Sequence, residues 1–316
     1  MKILITGGAG FIGSNLTAFH LEKKDEVCII DNFITGSKKN IVELTKNPSV
    51  TFIEADIVTY DLSTLPPFDI IYHLASPASP IQYKKYPIET LQVNSQGTYK
   101  LLEFMKSSKS KTFILASTSE VYGDPLVHPQ VETYWGNVNP VGCRSCYDES
   151  KRFAEALTMS YFRKYNLNVR IARIFNTYGP NMEKEDGRVI SNFIMQGLTN
   201  KPITIYGDGT QTRSFCYITD LVNGLFLLAI KSEIAGEIIN LGNSEEYSIK
   251  DVAKIIKSMT QSNSSIVFEK IESDDPKKRK PDISKAKNVL QWNFSIPLKQ
   301  GLPKTIEYFK NRFVSI

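Results

Sequence analysis

The sequence has little of what marks secreted, membrane-spanning or nucleic-acid-binding proteins. Its four cysteines, Cys28, Cys143, Cys146 and Cys216, lack the regular spacing of a disulfide framework. A net charge of +5, from 38 basic and 33 acidic residues, is too small for a nucleic-acid-binding surface. No run of about 18 apolar residues occurs, and the apolar start leads into glycines rather than a cleavage site. We therefore expect a soluble, cytoplasmic protein with no membrane anchor and no nucleic-acid partner.

One Cys-x-x-Cys is present, formed by Cys143 and Cys146. A zinc site would need a second pair or suitably spaced histidines, and a redox motif would need a thioredoxin-like context. The sequence offers neither. We interpret the spacing as coincidence and predict no metal site.

The first half of the chain alternates short β-branched runs with longer stretches of helical periodicity. With 316 residues and 41% hydrophobic content, the chain can bury a large core. The predicted strands are Lys2–Thr6, Glu26–Asp31, Thr51–Asp56, Asp69–Ala75, Lys111–Ser117 and Asn168–Phe175, and the predicted helices are Phe11–Lys23, Ile88–Lys106 and Tyr147–Lys164. This alternation predicts an α/β fold built on a Rossmann-type, doubly wound parallel sheet.

The pattern loosens from Asn176 onward, where glycine and proline pairs break the chain into short elements. A strand is predicted at Glu237–Leu241, and helices are predicted at Ile249–Thr260, Ser284–Leu290 and Leu298–Phe313. We therefore divide the chain into a main domain, 1–175, and a smaller lobe, 176–316, some of whose strands can return to the main sheet.

A glycine-rich turn follows the first predicted strand. Gly7, Gly10 and Gly13, with Phe11 and Ile12 between the last two, lie where the strand meets the start of a helix. Because these glycines have no side chains, the backbone can approach a pyrophosphate, whose charge is stabilised by free N–H groups and the helix dipole. The turn therefore predicts a dinucleotide site, in preference to a purely structural role.

Asp31 ends the second predicted strand, 18 residues after Gly13. Its carboxylate can accept hydrogen bonds from both ribose hydroxyls of an adenosine, whereas a 2′-phosphate would be repelled. We therefore predict NAD as the cofactor, while Lys38 and Lys39 in the next loop leave NADP open. Without the glycines, Asp31 would be interpreted equally well as a turn residue.

Tyr147 and Lys151 are four residues apart at the start of a predicted helix, so both side chains lie on one face. An ammonium group beside a phenol lowers the pKa of the phenol and makes it a base near neutral pH. The spacing alone is common, but after a dinucleotide-binding fold it predicts a catalytic pair.

These features occur in the order typical of the extended short-chain dehydrogenase/reductase superfamily, which the sequence resembles over nearly its whole length. The shared residues are the glycine turn, Asp31, Asp56-Ile57, His73-Leu74-Ala75, Asn94, Ser117-Thr118-Ser119-Glu120 and the Tyr147/Lys151 pair. The resemblance implies that Asp56 and Ile57 flank the adenine, that Leu74, Ala75 and Ser76 line the cofactor's path, and that Asn32 and Asn94 also belong to the NAD site. Thr118 would hydrogen-bond the 4-hydroxyl of a sugar beside Tyr147.

Longer stretches resemble the UDP-glucuronate decarboxylase family within that superfamily. They are HLASPASP from His73 to Pro80, LASTSEVYGDP from Leu115 to Pro125, RIFNTYGP from Arg173 to Pro180, DGRVISNF from Asp186 to Phe193 and DPKKRKPD from Asp275 to Asp282. The sequence departs from the family pattern at Cys143 and Ser150, where proline and glycine are expected, and at Gln92, where lysine is frequent. These departures affect contacts around the site but leave the catalytic pair in place.

The resemblance implies that UDP-glucuronate is converted to UDP-xylose. Tyr147 would remove the proton of the 4-hydroxyl while hydride passes to NAD, and carbon dioxide would leave from C5 as an enolate forms, hydrogen-bonded by Tyr147 and Thr118. Reprotonation at C5 and return of the hydride complete the reaction. Ser119 stands where related 4,6-dehydratases carry an aspartate, which argues against dehydration because a serine hydroxyl is too weak an acid.

Other residues take roles from the resemblance. Glu120 would orient the sugar or a water, with pressure of its charge on the substrate carboxylate as the alternative. Arg213 and Arg279 would bind the diphosphate or the carboxylate, although composition alone favours a solvated basic run at 277–280. Further substrate or cofactor candidates, each of which could equally stabilise a loop, are Asn176, Arg188, Asn192, Tyr206 and Gln211.

Two rival functions stay open. A 4-epimerase or 4,6-dehydratase would share the oxidation step, and a non-catalytic NAD-sensing regulator would share the fold but commonly lacks the tyrosine–lysine pair. The resemblance also implies a homodimer packed through the helices around 88–106 and 147–164, where the same apolar positions could instead be intrachain core.

Overall fold

The structure is a computed structural model that describes residues 1–270, 276 and 278–314, so Asp275 and Lys277 of the DPKKRKPD stretch lie outside the described residues. The strands are β1 Lys2–Thr6, β2 Glu26–Asp31, β3 Val50–Glu54, β4 Ile70–His73, β5 Thr112–Thr118, β6 Val169–Ile174, β7 Thr177–Tyr178, β8 Ile203–Tyr206, β9 Thr212–Ser214, β10 Cys216–Tyr217, β11 Ile238–Leu241, β12 Glu246–Ser248, β13 Ile266–Glu269 and β14 Lys278–Arg279. The helices are α1 Phe11–Glu22, α2 Lys38–Ile41, α3 Pro80–Lys85, α4 Pro87–Gln92, α5 Thr98–Ser108, α6 Ser145–Tyr165, α7 Val189–Leu198, α8 Ile218–Ile230, α9 Ile249–Met259, α10 Ser284–Leu290 and α11 Leu298–Phe313, with a π-helical segment at Val93–Gly97. None of the helices in these described ranges has the length and apolar character required to cross a membrane.

A seven-stranded parallel sheet lies at the centre, in the order β11-β6-β5-β4-β1-β2-β3. The strand order reverses direction between β1 and β4, which is the doubly wound topology. Parallel strands are covered on both faces, so they consist of nearly continuous apolar residues, as the sequence of β1 and β2 shows. The predicted fold class is confirmed.

The two faces of the sheet bury separate apolar clusters. Along β1, Ile3 and Ile5 belong to the cluster covered by α1 and α8, whereas Leu4 belongs to the cluster covered by α5 and α6. The alternation follows from the two-residue period of a strand. Each fully buried side chain of this kind contributes about 1.5–3 kcal/mol, so both faces hold the sheet rigid beneath the loops that follow its strands.

The helix predicted over 88–106 is interrupted, which corrects that prediction. α4 ends at Gln92, a π-helical segment follows, and α5 starts at Thr98. Single π turns are rare in proteins, but those that occur are often found at functional sites. Here the segment carries Asn94, whose Nδ2 donates to Ser150 Oγ on α6 at 2.9 Å.

Elements after residue 176 divide between the main sheet and a second layer. β11 extends the main sheet beside β6, and α8 packs against α1, β5 and β6. The two-stranded sheet β8–β13 and the three-stranded sheet β12–β9–β14 form the second layer. The boundary at residue 175 stays a prediction, because the second part of the chain contributes to both layers.

Candidate active site

A cleft of about 530 Å³ lies at the carboxyl ends of β1, β2, β4 and β5, facing the second layer. Open parallel sheets bind their ligands at this edge. The predicted site residues that line the cleft are Gly7, Gly10, Phe11, Ile12, Gly13, Asp31, Asn32, Asp56, Ile57, Leu74, Ala75, Ser76, Thr118, Ser119, Glu120, Tyr147, Lys151, Asn176, Arg188, Asn192, Tyr206, Gln211 and Arg213. Asn94 and Arg279 lie behind this lining, in contact with residues that belong to it.

The glycine turn leaves no room for side chains at two positions. Gly7 has φ +77, and a Cβ there would lie 2.7 Å from the backbone nitrogen of Ala75. A Cβ on Gly13 would lie 2.3 Å from the carbonyl oxygen of Gly7. α1 begins directly after Gly10, which gives its N-terminus no side-chain cap. The turn therefore fits a pyrophosphate, which would be met by backbone N–H groups.

Asp31 fixes the loop around the predicted adenosine position. Its Oδ2 accepts from the Ala9 backbone N–H at 2.9 Å, and its Oδ1 accepts from that of Phe33 at 2.8 Å. Burial raises the pKa of Asp31, while these two hydrogen bonds act in the opposite direction. Each carboxylate oxygen keeps a second lone pair that can accept from a ribose hydroxyl. Lys38, one of the lysines that left NADP open, pairs with Glu54 at 3.2 Å.

His73 supports the end of β4 as a neutral side chain. Burial lowers its pKa to about 3, and the charge of Lys151 acts in the same direction. Its Nε2 lies 3.3 Å from the carbonyl oxygen of Val93, which can only accept, so Nε2 carries the hydrogen. Nδ1 then accepts from the Thr6 hydroxyl at 2.8 Å. His73 therefore positions the strand end and carries no charge into the cleft.

The Tyr147 ring lies on the floor of the cleft and stacks on Tyr83. The two rings are nearly parallel, at 5°, with centroids 5.1 Å apart. Burial raises the pKa of Tyr147, and a hydrogen bond with Thr118 opposes this. Lys151, one turn further along α6, donates from Nζ to the Ala116 carbonyl oxygen at 2.8 Å and lies 5.9 Å from the Tyr147 ring centroid.

The expectation that Lys151 lowers the pKa of Tyr147 stays a prediction, because burial outweighs the neighbouring groups in this arrangement. Burial is the largest influence on both groups: it raises the pKa of the phenol and lowers that of the Lys151 ammonium to about 7. The side chains that lower the pKa of Tyr147 are Thr118 and Arg188. Sequence spacing shows that the pair shares a helix face, but it does not show that both groups are removed from water.

Glu120 lies between two arginines from distant parts of the chain. Its Oε2 accepts from Arg144 Nη2 at 2.6 Å and from Arg279 Nη2 at 3.2 Å. Burial would raise the pKa of Glu120, but the charges of Arg279, Arg144 and Arg213 outweigh it and lower the pKa. Arg279 is only 1% exposed and also donates to the Ser119 carbonyl oxygen. It therefore belongs to the site rather than to a solvated basic run.

The other two predicted arginines also line the cleft, and each contacts protein groups. Arg188 forms a two-pronged ion pair with Asp186, with Nη2 2.7 Å from Oδ2. Arg213 donates to the carbonyl oxygens of Thr212 at 2.9 Å and Pro276 at 2.5 Å. Both guanidinium groups are thus held in fixed orientations, as recognition of a phosphate or carboxylate requires.

Weaker candidates have local contacts that match the loop-stabilising alternative. Gln211 Nε2 donates to the Tyr206 carbonyl oxygen at 2.6 Å, and Asn192 Nδ2 donates to the Gly187 carbonyl oxygen at 3.0 Å. The backbone oxygen of Asn176 accepts from Cys216 N at 2.8 Å. All three residues line the cleft, while their contact with a ligand stays a prediction.

Sequence interpretation missed Tyr83 and Arg144, which also line the cleft. Tyr83 lies on α3, three residues beyond the HLASPASP stretch, and Arg144 lies three residues before Tyr147. Tyrosine in a helix and arginine in a loop are common, so neither carries a local signal. The quoted stretches ended just before one and did not include the other.

Departures from the expected pattern fit the surrounding structure. Ser150 Oγ accepts from Asn94 Nδ2 and donates to the Tyr147 carbonyl oxygen at 3.0 Å. Asn94 Nδ2 also donates to Ser76 Oγ at 3.1 Å. Cys143 is exposed, and Cys146 Sγ lies 3.5 Å from the Tyr83 carbonyl oxygen. Ser150 thus links Asn94 to the helix of the catalytic pair.

Comparisons with known proteins agree over nearly the full chain. The sequence model of the NAD dependent epimerase/dehydratase family matches residues 3–242. UDP-glucuronic acid decarboxylase 1 of Arabidopsis thaliana is 50% identical over 315 residues, which are 100% of this chain and 71% of that protein. UDP-glucuronic acid decarboxylase 3 of the same plant is 49% identical over 315 residues, 99% of this chain and 90% of that protein. A crystal structure of a UDP-glucuronic acid 4-epimerase mutant from Bacillus cereus, in complex with UDP-4-deoxy-4-fluoro-glucuronic acid and NAD, has a TM-score of 0.91 and 34% identity and covers 99% of this chain and 100% of that one.

Proposed function

The chain belongs to the NAD-dependent epimerase/dehydratase family and, within it, to the UDP-glucuronic acid decarboxylases, and from this premise we propose how its cleft converts UDP-glucuronate to UDP-xylose. The reaction is loss of carbon dioxide from C5 of the sugar, with NAD as a bound cofactor that ends each turnover unchanged. The related 4-epimerases keep the carbon count, so release of carbon dioxide distinguishes the two reactions.

The glycine turn and Asp31 would hold NAD, with Asp56 and Ile57 beside the adenine and Leu74 to Ser76 along its path. The steric limits at Gly7 and Gly13 and the remaining lone pairs of Asp31 support this assignment. When bound, NAD supplies an acceptor for the hydride of C4 and later returns it.

In the oxidation step, Tyr147 takes the proton of the 4-hydroxyl, and Thr118 hydrogen-bonds the same oxygen. The observation that carries this proposal is that Tyr147, Thr118 and Lys151 line the same cleft as the glycine turn, with Thr118 close enough to lower the pKa of Tyr147. Lys151 lies on the same helix face, and its ammonium form stabilises the phenolate when the proton moves.

Oxidation places a ketone at C4, β to the carboxylate on C5, so carbon dioxide can leave with the electron pair delocalised onto the C4 oxygen. Tyr147 and Thr118 then hydrogen-bond the enolate. Glu120, held as an anion by its arginines, orients the sugar or a water. Ser119 provides no acid strong enough for 4,6-dehydration.

Arg213, Arg188 and Arg279 would contact the anionic parts of the substrate, and Asn176, Asn192, Tyr206 and Gln211 would complete the lining. The cleft that all of these residues except Arg279 line supports this assignment, and Arg279 lies directly behind the lining. Arg279 acts on the reacting end of the cleft through Ser119 and Glu120, which its guanidinium contacts.

The function is tested by incubating the protein with NAD and UDP-glucuronate and following the products by NMR. A pentose product and an equivalent of carbon dioxide are expected. A product with the original carbon count would identify an epimerase instead. Tyr147→Phe, which keeps the ring but removes the hydroxyl, should yield neither the pentose nor carbon dioxide.

We further propose a homodimer packed through α4, α5 and α6. These helices expose large apolar side chains at Ile88, Tyr99 and Phe153, which are 60%, 51% and 51% exposed. α4 and α5 both pack against α6, and large exposed apolar side chains on neighbouring helices favour a protein interface. A cytoplasmic location is also proposed, supported by the four cysteines, which are all free thiols.

A further inference from the structure

Loss of carbon dioxide from UDP-glucuronate consumes one proton. The substrate enters as a carboxylate, and C5 gains a hydrogen after its bond to the carboxylate carbon breaks. Tyr147 takes a proton from the 4-hydroxyl on oxidation and returns it on reduction, so its cycle closes without supplying C5. The proton for C5 therefore needs a second route from solvent.

A second cavity, of about 200 Å³, adjoins the cleft. Glu120, Arg144 and Pro276 line both spaces and form the wall between them. The other residues around this cavity are Gly123, Asp124, Asn137, Val138, Asn139, Gly142 and Asp148. Its polar walls and its size suit several water molecules.

Asp148 is the buried acid of this cavity. It is 6% exposed, and its Oδ1 has no hydrogen-bond partner among the described residues. A buried carboxylate oxygen without a partner is costly, whereas a protonated carboxyl is tolerated and can donate to water. Asp148 directly follows Tyr147 on α6 and lines the second cavity rather than the cleft, so it lies outside the proton cycle of the phenol and reaches the sugar only through water.

Groups from several elements act on Asp148. Burial raises its pKa most, and the charge of Glu120 adds to this, while Arg144 and Arg279 act in the opposite direction. Its charged and titratable neighbours come from four parts of the chain. They are Glu120 in the turn after β5, Arg279 on β14, Tyr83 on α3, and Arg144, Cys146, Tyr147 and Glu149 on α6 or directly before it. The net pKa of Asp148 is well above that of an ordinary aspartate, so it keeps a proton to give.

We propose that Asp148 supplies the proton that C5 gains, acting through water in this cavity. The proposal rests on the function proposed above and deepens it. As the bond between C5 and the carboxylate carbon breaks, its electron pair forms the enolate. C5 then takes a proton from a water molecule, which takes one from the Asp148 carboxyl. The resulting carboxylate is reprotonated from solvent, so one solvent proton is consumed in each turnover.

Glu120 is nearer to the cleft but is a poorer donor. Two arginines share its Oε2, and the charges of three arginines keep it ionised. A carboxylate only accepts hydrogen bonds and has no proton to give. Asp148 carries the only carboxyl in the described wall of the second cavity that is both buried and raised in pKa.

The test compares Asp148→Asn with Asp124→Asn in single-turnover mixing of holoenzyme and UDP-glucuronate. Asp124 is an exposed carboxylate in the wall of the same cavity. The absorbance of bound NADH reports both halves of the reaction: it rises with oxidation of C4 and decays when the hydride returns, which must follow protonation of C5. In Asp148→Asn we expect an unchanged rise and a decay slower by roughly 10²-fold. Asp124→Asn should change neither phase.

The pH dependence separates proton donation from a structural effect. Only the acid form of Asp148 donates, so the wild-type decay should slow as pH rises through the raised pKa, and Asp148→Asn should lose this dependence. Asp148→Glu should restore it. An equal decay in Asp148→Asn and Asp124→Asn, or a retained pH dependence in Asp148→Asn, would overturn the proposal.

Two further outcomes are distinguishable. If Asp148→Asn fails to fold, a wild-type decay that does not vary with pH overturns the proposal by itself. If the wild-type protein releases no carbon dioxide, the proposed function is wrong. If it releases carbon dioxide but the NADH decay is the same in Asp148→Asn as in wild type, only the role of Asp148 is wrong.

Discussion

Arg279 donates from Nη2 to Oε2 of Glu120 at 3.2 Å, across 159 positions of the sequence. Arg279 is on β14, in the second layer, whereas Glu120 lies in the turn after β5 of the main sheet. The same carboxylate oxygen accepts from Arg144, in the loop before α6. One partly buried carboxylate therefore joins both layers at the reacting end of the cleft.

Arg279→Ala should abolish turnover while NAD still binds. The substitution leaves Glu120 buried with one guanidinium fewer and removes a fixed charge beside the sugar, which typically costs at least about 2 kcal/mol, or some 30-fold. Steady-state kinetics and an NAD-binding titration check this. Arg279→Lys keeps the charge but not the planar fork and should recover little. Unchanged kinetics in the alanine variant would remove Arg279 from the site.

Glu120→Gln should slow decarboxylation far more than it weakens NAD binding. The amide keeps the shape of the side chain but loses the charge that pairs with Arg144 and Arg279. Carbon dioxide release and the NAD dissociation constant are the two measurements. Equal turnover by the variant would exclude Glu120 from the mechanism.

Much of the main sheet could be predicted because each of its strands is a short apolar run between turn signals. β1 and β2 have the predicted bounds, and β11 begins at Ile238, one residue after its predicted start. α7 and α8 were missed, although the buried positions Ile190, Phe193, Ile194 and Gly197 give α7 a helical period. The π-helical segment was also not predicted, because the periodicity was assigned to one uninterrupted helix over 88–106.

For the candidate site, local motifs placed the glycine turn, Asp31 and Tyr147 on one cleft. What the sequence could not provide is how deeply each group is buried. Burial raises the pKa of Tyr147 and Asp148 and lowers that of Lys151, whereas the charges of three arginines lower the pKa of Glu120. The environment of each group therefore sets its charge. It depends on residues far apart in sequence, such as Arg279, and no local spacing encodes those contacts.

Phe153→Glu should convert the proposed homodimer into monomers. The side chain is 51% exposed on α6, and a charge there would be desolvated in an interface between two copies of this face. Light scattering coupled to size-exclusion chromatography gives the mass. Leu126→Glu is the matched control, because Leu126 is 82% exposed but lies outside α4, α5 and α6. A wild-type protein that elutes as a monomer would contradict the proposed dimer.

The stability of the apoprotein should depend on pH through Lys151. Burial lowers the pKa of Lys151 from 10.5 to about 7. Between these values the unfolded chain binds a proton at Lys151 that the folded chain does not, so the free energy of unfolding rises with pH. This gain in the free energy of unfolding is complete above the pKa that Lys151 has in the unfolded chain. It is lost as the pH falls through the pKa that Lys151 has in the folded protein. Its full size is on the order of 5 kcal/mol.

Lys151→Met isolates this effect, because methionine fills similar space without a titrating group. The variant should be more stable than wild type near pH 7, and its advantage should shrink as the pH rises towards about 10. Urea unfolding at several pH values measures the difference. Lys164→Met, at an exposed position of the same helix, should show a constant difference. If the Lys151→Met difference were equally constant, the ammonium would have its ordinary pKa when folded, and burial would not govern the charge of the catalytic pair.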